Sequence, residues 1–154
     1  MTEKNTSIAN ANETVYRVLP ADPRPGLEDR WEDATWRHVP SLPIDHFRPE
    51  SSGHRPRTRA RLVADRHGLY GIFKVQDRYV RSVHTGFQAP VYKDSCVEFF
   101  VQPRPDRGYF NFEFNCGGAV LASYITDPAR TADGFKDWQP LSPEDGRRIR
   151  VAHT

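Results

Sequence analysis

The stretch from Asp94 to Asn115 constrains the fold of this 154-residue chain more than any other. Asp94-Ser95-Cys96-Val97-Glu98-Phe99-Phe100-Val101 alternates apolar and polar residues, and so does Tyr109-Phe110-Asn111-Phe112-Glu113-Phe114-Asn115, with a proline- and glycine-containing loop between them. A period of two with turn chemistry in the middle is a β-hairpin. Pairing Val97, Phe99 and Val101 with Phe114, Phe112 and Phe110 collects six apolar side chains on one face. A one-residue slip would set them against Asn115, Glu113 and Asn111. Each buried Val or Phe contributes about 1.5–3 kcal/mol, more than the net value of a hydrogen bond, so the first register is expected, with its apolar face as the core face.

The second face then carries Cys96, Glu98, Phe100 and Gln102 opposite Asn115, Glu113, Asn111 and Tyr109. Like charges directly opposed in a sheet are destabilising, so Glu98 and Glu113 call for an arginine, a cation, a raised pKa or a polar ligand. A surface of carboxylates, carboxamides and aromatic rings suits a sugar, whose hydroxyls need planar polar partners and whose ring faces need aromatic platforms. The register also puts Cys96 on the polar face and Cys116 on the core face, so both are expected to be free thiols.

Around this hairpin, Val15–Leu19 is predicted as a first short strand. The Trp31–Phe47 segment is predicted as an irregular wrap with Trp31 and Trp36 in the core. Thr58–Ala64 and Leu69–Val75 are predicted as a second hairpin turning at residues 65–68, its period-two arginines (55, 57, 59 and 61) lining a solvated face. Ala119–Ile125 is predicted as a strand followed by a loop reaching Trp138, and Arg147–Ala152 as the beginning of another strand. Thirteen prolines and ten glycines favour short strands and turns over a helical bundle. The expected architecture is all-β, an antiparallel β-sandwich of jelly-roll type over residues 14–154, behind a disordered lead at 1–13 that has no apolar periodicity.

A net charge of +2 is too small to mark a nucleic-acid partner, and no apolar run approaches the ~18 residues of a membrane helix. Two cysteines without a CxxC pair and six histidines without matching spacing make no zinc site. With no signal peptide in the sequence, a cytoplasmic location is the default expectation, and secretion if the domain comes from a longer chain.

With these segments in place, the chain resembles the family 9 carbohydrate-binding modules and their DOMON-like relatives. The resemblance is carried by Trp31-Glu32-Asp33-Ala34-Thr35-Trp36, Ala60-Arg61-Leu62 leading to Gly68-Leu69-Tyr70, Val75-Gln76-Asp77-Arg78-Tyr79-Val80, Pro90 to Phe100 and Tyr109 to Asn115. It implies a non-catalytic β-sandwich that binds a mono- or oligosaccharide and works beside glycan-degrading enzymes. It further implies that Tyr92, preceding the D-S-x-V-E element, is an aromatic platform, with Asp94, Glu98, Asn111, Glu113 and Asn115 at polar site positions. Sugar-binding relatives use polar or basic residues on this strand, and Glu113 departs from their arginine-like pattern. Those relatives continue for several strands beyond the point matching the end of this chain and draw their second platform from that part, so either the chain is C-terminally truncated or Trp138 takes that role. Such a truncation would leave a sheet edge that a homodimer could cover. Calcium supports some relatives, and Asp77, Asp94 and Asp133 are the oxygen ligands on offer.

Three other readings compete with the sugar site. Glu98 and Glu113 could pair with Arg61, Arg81 or Arg150 as a structural network. They could also serve as the two carboxylates of a glycoside hydrolase. A DOMON-type haem domain would need His38, His46 or His84 together with a methionine, and the only methionine is Met1.

Overall fold

The alternating segments around Asp65 form β3 (Arg57–Asp65) and β4 (Gly68–Gln76), paired antiparallel along their whole length. Asp65 closes the turn, its Oδ1 accepting the N–H groups of His67 and Gly68 at 2.8 and 3.1 Å. The other edge of β3 is divided: β2 (Leu42–Ile44) pairs antiparallel with Thr58–Ala60, and β1 (Leu19–Pro20) pairs parallel with Val63–Ala64. These four strands make the first sheet. This computed structural model describes residues 15–132 and 134–154, so the predicted lead at 1–13 lies outside them.

The segment between β1 and β2 packs onto the first sheet because it supplies large apolar side chains. A short helix α1 (Ala34–Arg37), preceded by Asp33, delivers Trp36 to a cluster with Val39 and Val63, against which Leu19, Ala21, Tyr70 and Ile72 pack. Trp36 is 3% exposed and Trp31 7%, as expected of core residues. The period-two arginines do not form a simple solvated face. Arg61 lies 4.2 Å and Arg59 5.4 Å from the Trp31 ring, and Arg61 Nη1 donates to the Trp31 carbonyl at 2.8 Å. A guanidinium stacks favourably on an indole, and that attraction turns the arginines of β3 inward.

The second sheet is a meander, β5 (Cys96–Val101), β6 (Tyr109–Asn115), β7 (Val120–Thr131) and β8 (Gly134–Pro140), each strand antiparallel to the next. Its first hairpin has the expected register, with Val97, Phe99 and Val101 against Phe114, Phe112 and Phe110, and Glu98 against Glu113. The two sheets are the layers of an all-β sandwich.

Three local expectations are corrected. Of the first predicted strand, Val15–Leu19, only Leu19 is paired, together with Pro20 just beyond it. The loop predicted after Ile125 is a β-ribbon, because Thr126 Oγ1 bonds Asp137 Oδ2 at 2.6 Å, Lys136 pairs with Asp127 at 2.9 Å, and Arg130 covers Phe135 at 4.0 Å. Register shifts on either side of Asp127 accommodate Pro128, which cannot donate to a ladder. Residues 147–152 form no strand and follow a short helix α2 (Pro143–Gly146), whose start is fixed by Ser142 Oγ accepting the Asp145 N–H at 3.1 Å. Cys116 also leaves the core face: β6 ends at Asn115, so this residue sits exposed in the following turn, and both cysteines are free.

Candidate functional site

The two faces of β6 are buried in the reverse of the expected order. Asn111, Glu113 and Asn115 on the polar face are 4, 7 and 4% exposed, whereas Phe110, Phe112 and Phe114 are only half-buried, like Val97, Phe99 and Val101 beside them. Two segments beyond the hairpin account for this. The first is the connection from β4 to β5. Its Gln88 stands in for a strand at the edge of β7 left free where β8 ends, accepting from Ala122 N at 3.1 Å and donating to Ala122 O at 2.8 Å. Because β5 lies on the other side of β6, residues 89–95 must cross the Asn115 end of the sheet. They do so through a 3-10 turn (Val91–Lys93) with Val91 fully buried.

Asp94 and Asn115 lock this crossing in place. The Asp94 side chain has no exposed surface, and its Oδ2 accepts from Val83 N, His84 N and Asn115 Nδ2 at 3.1, 2.9 and 2.9 Å. Burial would raise this carboxyl, but the donors from His84, Asn115 and Val83 outweigh it and hold Asp94 well below the usual carboxylate range. Asn115 also donates to the His84 carbonyl at 2.8 Å, and its Oδ1 accepts from Gly117 N and Ala119 N at 3.1 and 2.9 Å. Both predicted site residues are thus engaged by the protein's own groups.

Glu98, Asn111 and Glu113 lie further along the same face. Asn111 Nδ2 donates to Glu113 Oε1 at 2.8 Å, while Asn111 Oδ1 and Glu113 Oε2 are buried without a hydrogen-bond partner among the described residues. An unpartnered buried polar atom costs about 1–3 kcal/mol, so these two acceptors mark a place where a further donor is wanted. Glu98, the exposed member, is directly across from Glu113. Partial burial and then the charge of Glu113 raise the Glu98 carboxyl above its ordinary value, against the pull of Arg130. Burial, helped by Glu98, Glu113 and Asp94, pushes the Cys96 thiol up to about 11, which makes it a poor nucleophile.

None of the arginines considered from sequence meets the carboxylate pair. Arg61 is on Trp31 and Arg81 lies 3.5 Å from Asp94. The cation acting on Glu98 is Arg130, from the far part of the β7–β8 ribbon. It was hidden in the sequence because that ribbon looked like a loop. Arg130 belongs to β7, on the far side of β6 from Glu98, in the part of the ribbon beyond the register shifts, which bend it. Exposed aromatic rings lie around this polar floor. Trp138 is opposite Ile125, and Ile125 is opposite Tyr109, so Trp138 shares the face of Asn111 and Glu113. It is 44% exposed; Phe100, opposite Asn111, is 52% exposed, and Tyr92, in the 3-10 turn at the Asn115 end, 56%.

The raised Glu98 carboxyl gives a signed prediction. A folded state that disfavours the ionised form is stabilised by protonation, an effect fully present below the ordinary value of 4.5 and lost as pH rises through the raised one. Glu98→Gln is neutral throughout. In urea unfolding it should match the parent chain at pH 4 and exceed it at pH 7, and a parent chain more stable than the variant at pH 7 would refute the effect.

Two of the three acidic residues named for calcium are engaged by other groups of the protein. Asp77 is held by His54 at 2.9 Å, Asp94 is enclosed as described, and Asp133 lies outside the described residues. Among the described residues no group of three or more His, Cys, Asp and Glu side chains is placed to hold a metal. The histidines considered for haem are dispersed: His38 bonds the Ala34 carbonyl at 3.2 Å, His46 lies beside Asp45, and His84 pairs with Asp94. A cavity of about 480 Å3 lies between Phe87, Gly118, Val120 and α2, and neither Glu98 nor Glu113 lines it.

No curated protein matches the sequence. A crystal structure of a proposed carbohydrate-binding protein from Bacteroides uniformis is similar over 70% of this chain, with 29% identity and a TM-score of 0.61. The chain covers 46% of the length of that structure. The model of carbohydrate-binding family 9, a non-catalytic binding family, matches residues 33–134, from the turn before α1 to the start of β8. That span takes in the tryptophan wrap, both hairpins and the polar face, so the chain belongs to carbohydrate-binding family 9.

Proposed function

We propose that the chain binds a sugar on the polar face of β5–β7, with Glu98, Asn111 and Glu113 taking hydroxyl groups and exposed aromatic rings stacking on the ring faces. The observation that carries this reading is the pair of buried acceptors, Asn111 Oδ1 and Glu113 Oε2, unpartnered among the described residues, across from exposed Glu98 and on the face that Trp138 shares. Sugar hydroxyls donate into acceptors, and sugar C–H faces lie on aromatic rings. Tyr92 and Trp138 are the platforms in this reading. Asp94 and Asn115 act behind them by holding the crossing that carries Tyr92. A module of this kind concentrates a glycan-degrading enzyme on its substrate, the partnership the family suggests.

Isothermal titration with glucose, galactose, cellobiose and xylobiose tests the proposal. Saturable heat is expected for at least one sugar. Tyr92→Ala and Trp138→Ala should each weaken it roughly tenfold, as loss of a ring from a stacked contact does. Both side chains are exposed, so circular dichroism should be unchanged. Unaltered affinity in both variants would remove the stacking site, and no heat from any sugar would remove the proposal.

A further inference from the structure

Hydroxyl groups both donate and accept, but the floor of the polar face is strongly biased toward accepting. Glu98 and Glu113 are directly opposed, Glu113 Oε2 and Asn111 Oδ1 have no partner, and the Asn111 carboxamide N–H is already given to Glu113. Asn111 and Glu113 are both more than nine-tenths buried. Among the described residues neither Glu98 nor Glu113 has a salt bridge, and Arg130, whose charge acts on Glu98, is stacked on Phe135. Two opposed carboxylates in adjacent strands with no ion pair of their own destabilise the sheet that holds them. A ligand that brings a positive charge relieves this, and one that brings only hydroxyls does not.

The kind of cation follows from the number of acceptors. Calcium takes six to eight oxygens, and no cluster of three or more metal-ligating side chains exists among the described residues. An ammonium group has three N–H donors and no acceptor, which matches a site made of the Glu98 carboxylate, Glu113 Oε2 and Asn111 Oδ1. The exposed ring of Phe100, opposite Asn111 on the same face, suits a ring-shaped body attached to the amine.

We propose that the preferred ligand of this face is an amino sugar, bound through its ammonium group at Glu98 and Glu113, in place of a neutral one. The inference rests on the carbohydrate-binding reading and narrows it. Charge-assisted bonds are about twice as strong as neutral ones, so the amine should dominate the selectivity.

The test is titration at pH 6 and fixed ionic strength with glucosamine, N-acetylglucosamine and glucose. Glucosamine is expected to bind at least tenfold more tightly than the other two. In Glu113→Gln and in Glu98→Gln, near-isosteric changes whose folding is checked by circular dichroism, the preference should fall to about threefold or less. Equal binding of glucosamine and glucose would overturn the amine preference and leave the sugar module intact; no heat from any of the three would also overturn the amine preference, and would overturn the sugar reading only if galactose, cellobiose and xylobiose gave no heat either. Displacement of glucosamine by an equal concentration of putrescine, an amine without a ring, would overturn the sugar part. Displacement by calcium chloride at constant ionic strength would assign the carboxylates to a metal.

Discussion

Replacing Trp36 by alanine is expected to lower the free energy of unfolding by about 3–5 kcal/mol, the cost of truncating a large aromatic side chain in a core. Trp36 is 3% exposed and packs with Val39 and Val63, the cluster through which the wrap between β1 and β2 is held to the first sheet. No other large aromatic joins that buried cluster except the partly buried Tyr70, so the site has little with which to refill. For a domain of this size the loss corresponds to a fall in Tm of roughly 10 °C, measurable by circular dichroism. Trp138→Ala is the control, because a ring that is 44% exposed should leave stability nearly unchanged. A loss below about 1 kcal/mol for Trp36→Ala would mean that the wrap contributes little to the core.

Asn115→Ala is expected to cost about 3 kcal/mol, because a buried group left without its partner costs about 1–3 kcal/mol and this change strands several at once. It removes one donor from Asp94 Oδ2, one from the His84 carbonyl, and the acceptor that serves Gly117 N and Ala119 N. The crossing that carries Tyr92 should loosen with it, so sugar affinity should fall together with stability. Urea unfolding and titration of the same preparation separate two roles. Lost affinity at unchanged stability would make Asn115 a direct sugar contact, while joint loss would make it a positioning residue.

The register of the β5–β6 hairpin was legible from residues 96–115 because slipping it exposes six apolar side chains, an energetic preference internal to the segment. Which face would be the more buried was not legible. That depended on the crossing at 89–95 and on the β7–β8 ribbon, elements whose positions are set by tertiary bonds such as Gln88 to Ala122 and Asp94 to Asn115. Asp127-Pro128-Ala129 reads as a loop by composition, yet side-chain pairs across the ribbon override it. The opposition of Glu98 and Glu113 followed from pairing alone, whereas the approach of Arg130 required the bend. Arg59 and Arg61 show the same limit: their spacing marks a strand, but Trp31, some thirty residues away, decides that they turn inward.

The way β3 shares its edge makes the two sheets unequal in chain entropy. Every ladder of the second sheet joins strands adjacent in sequence: Val101 meets Phe110, Phe114 meets Val120, and Thr131 meets Gly134. In the first sheet, Leu19 must find Val63. Loop-closure entropy grows with the logarithm of length, so that one contact carries about 1.5 kcal/mol more closure cost than the β5–β6 hairpin, for a pairing of only two residues. The strands that hold the candidate sugar site are therefore nearly self-contained in topology, and the other sheet bears the larger entropic burden of the fold.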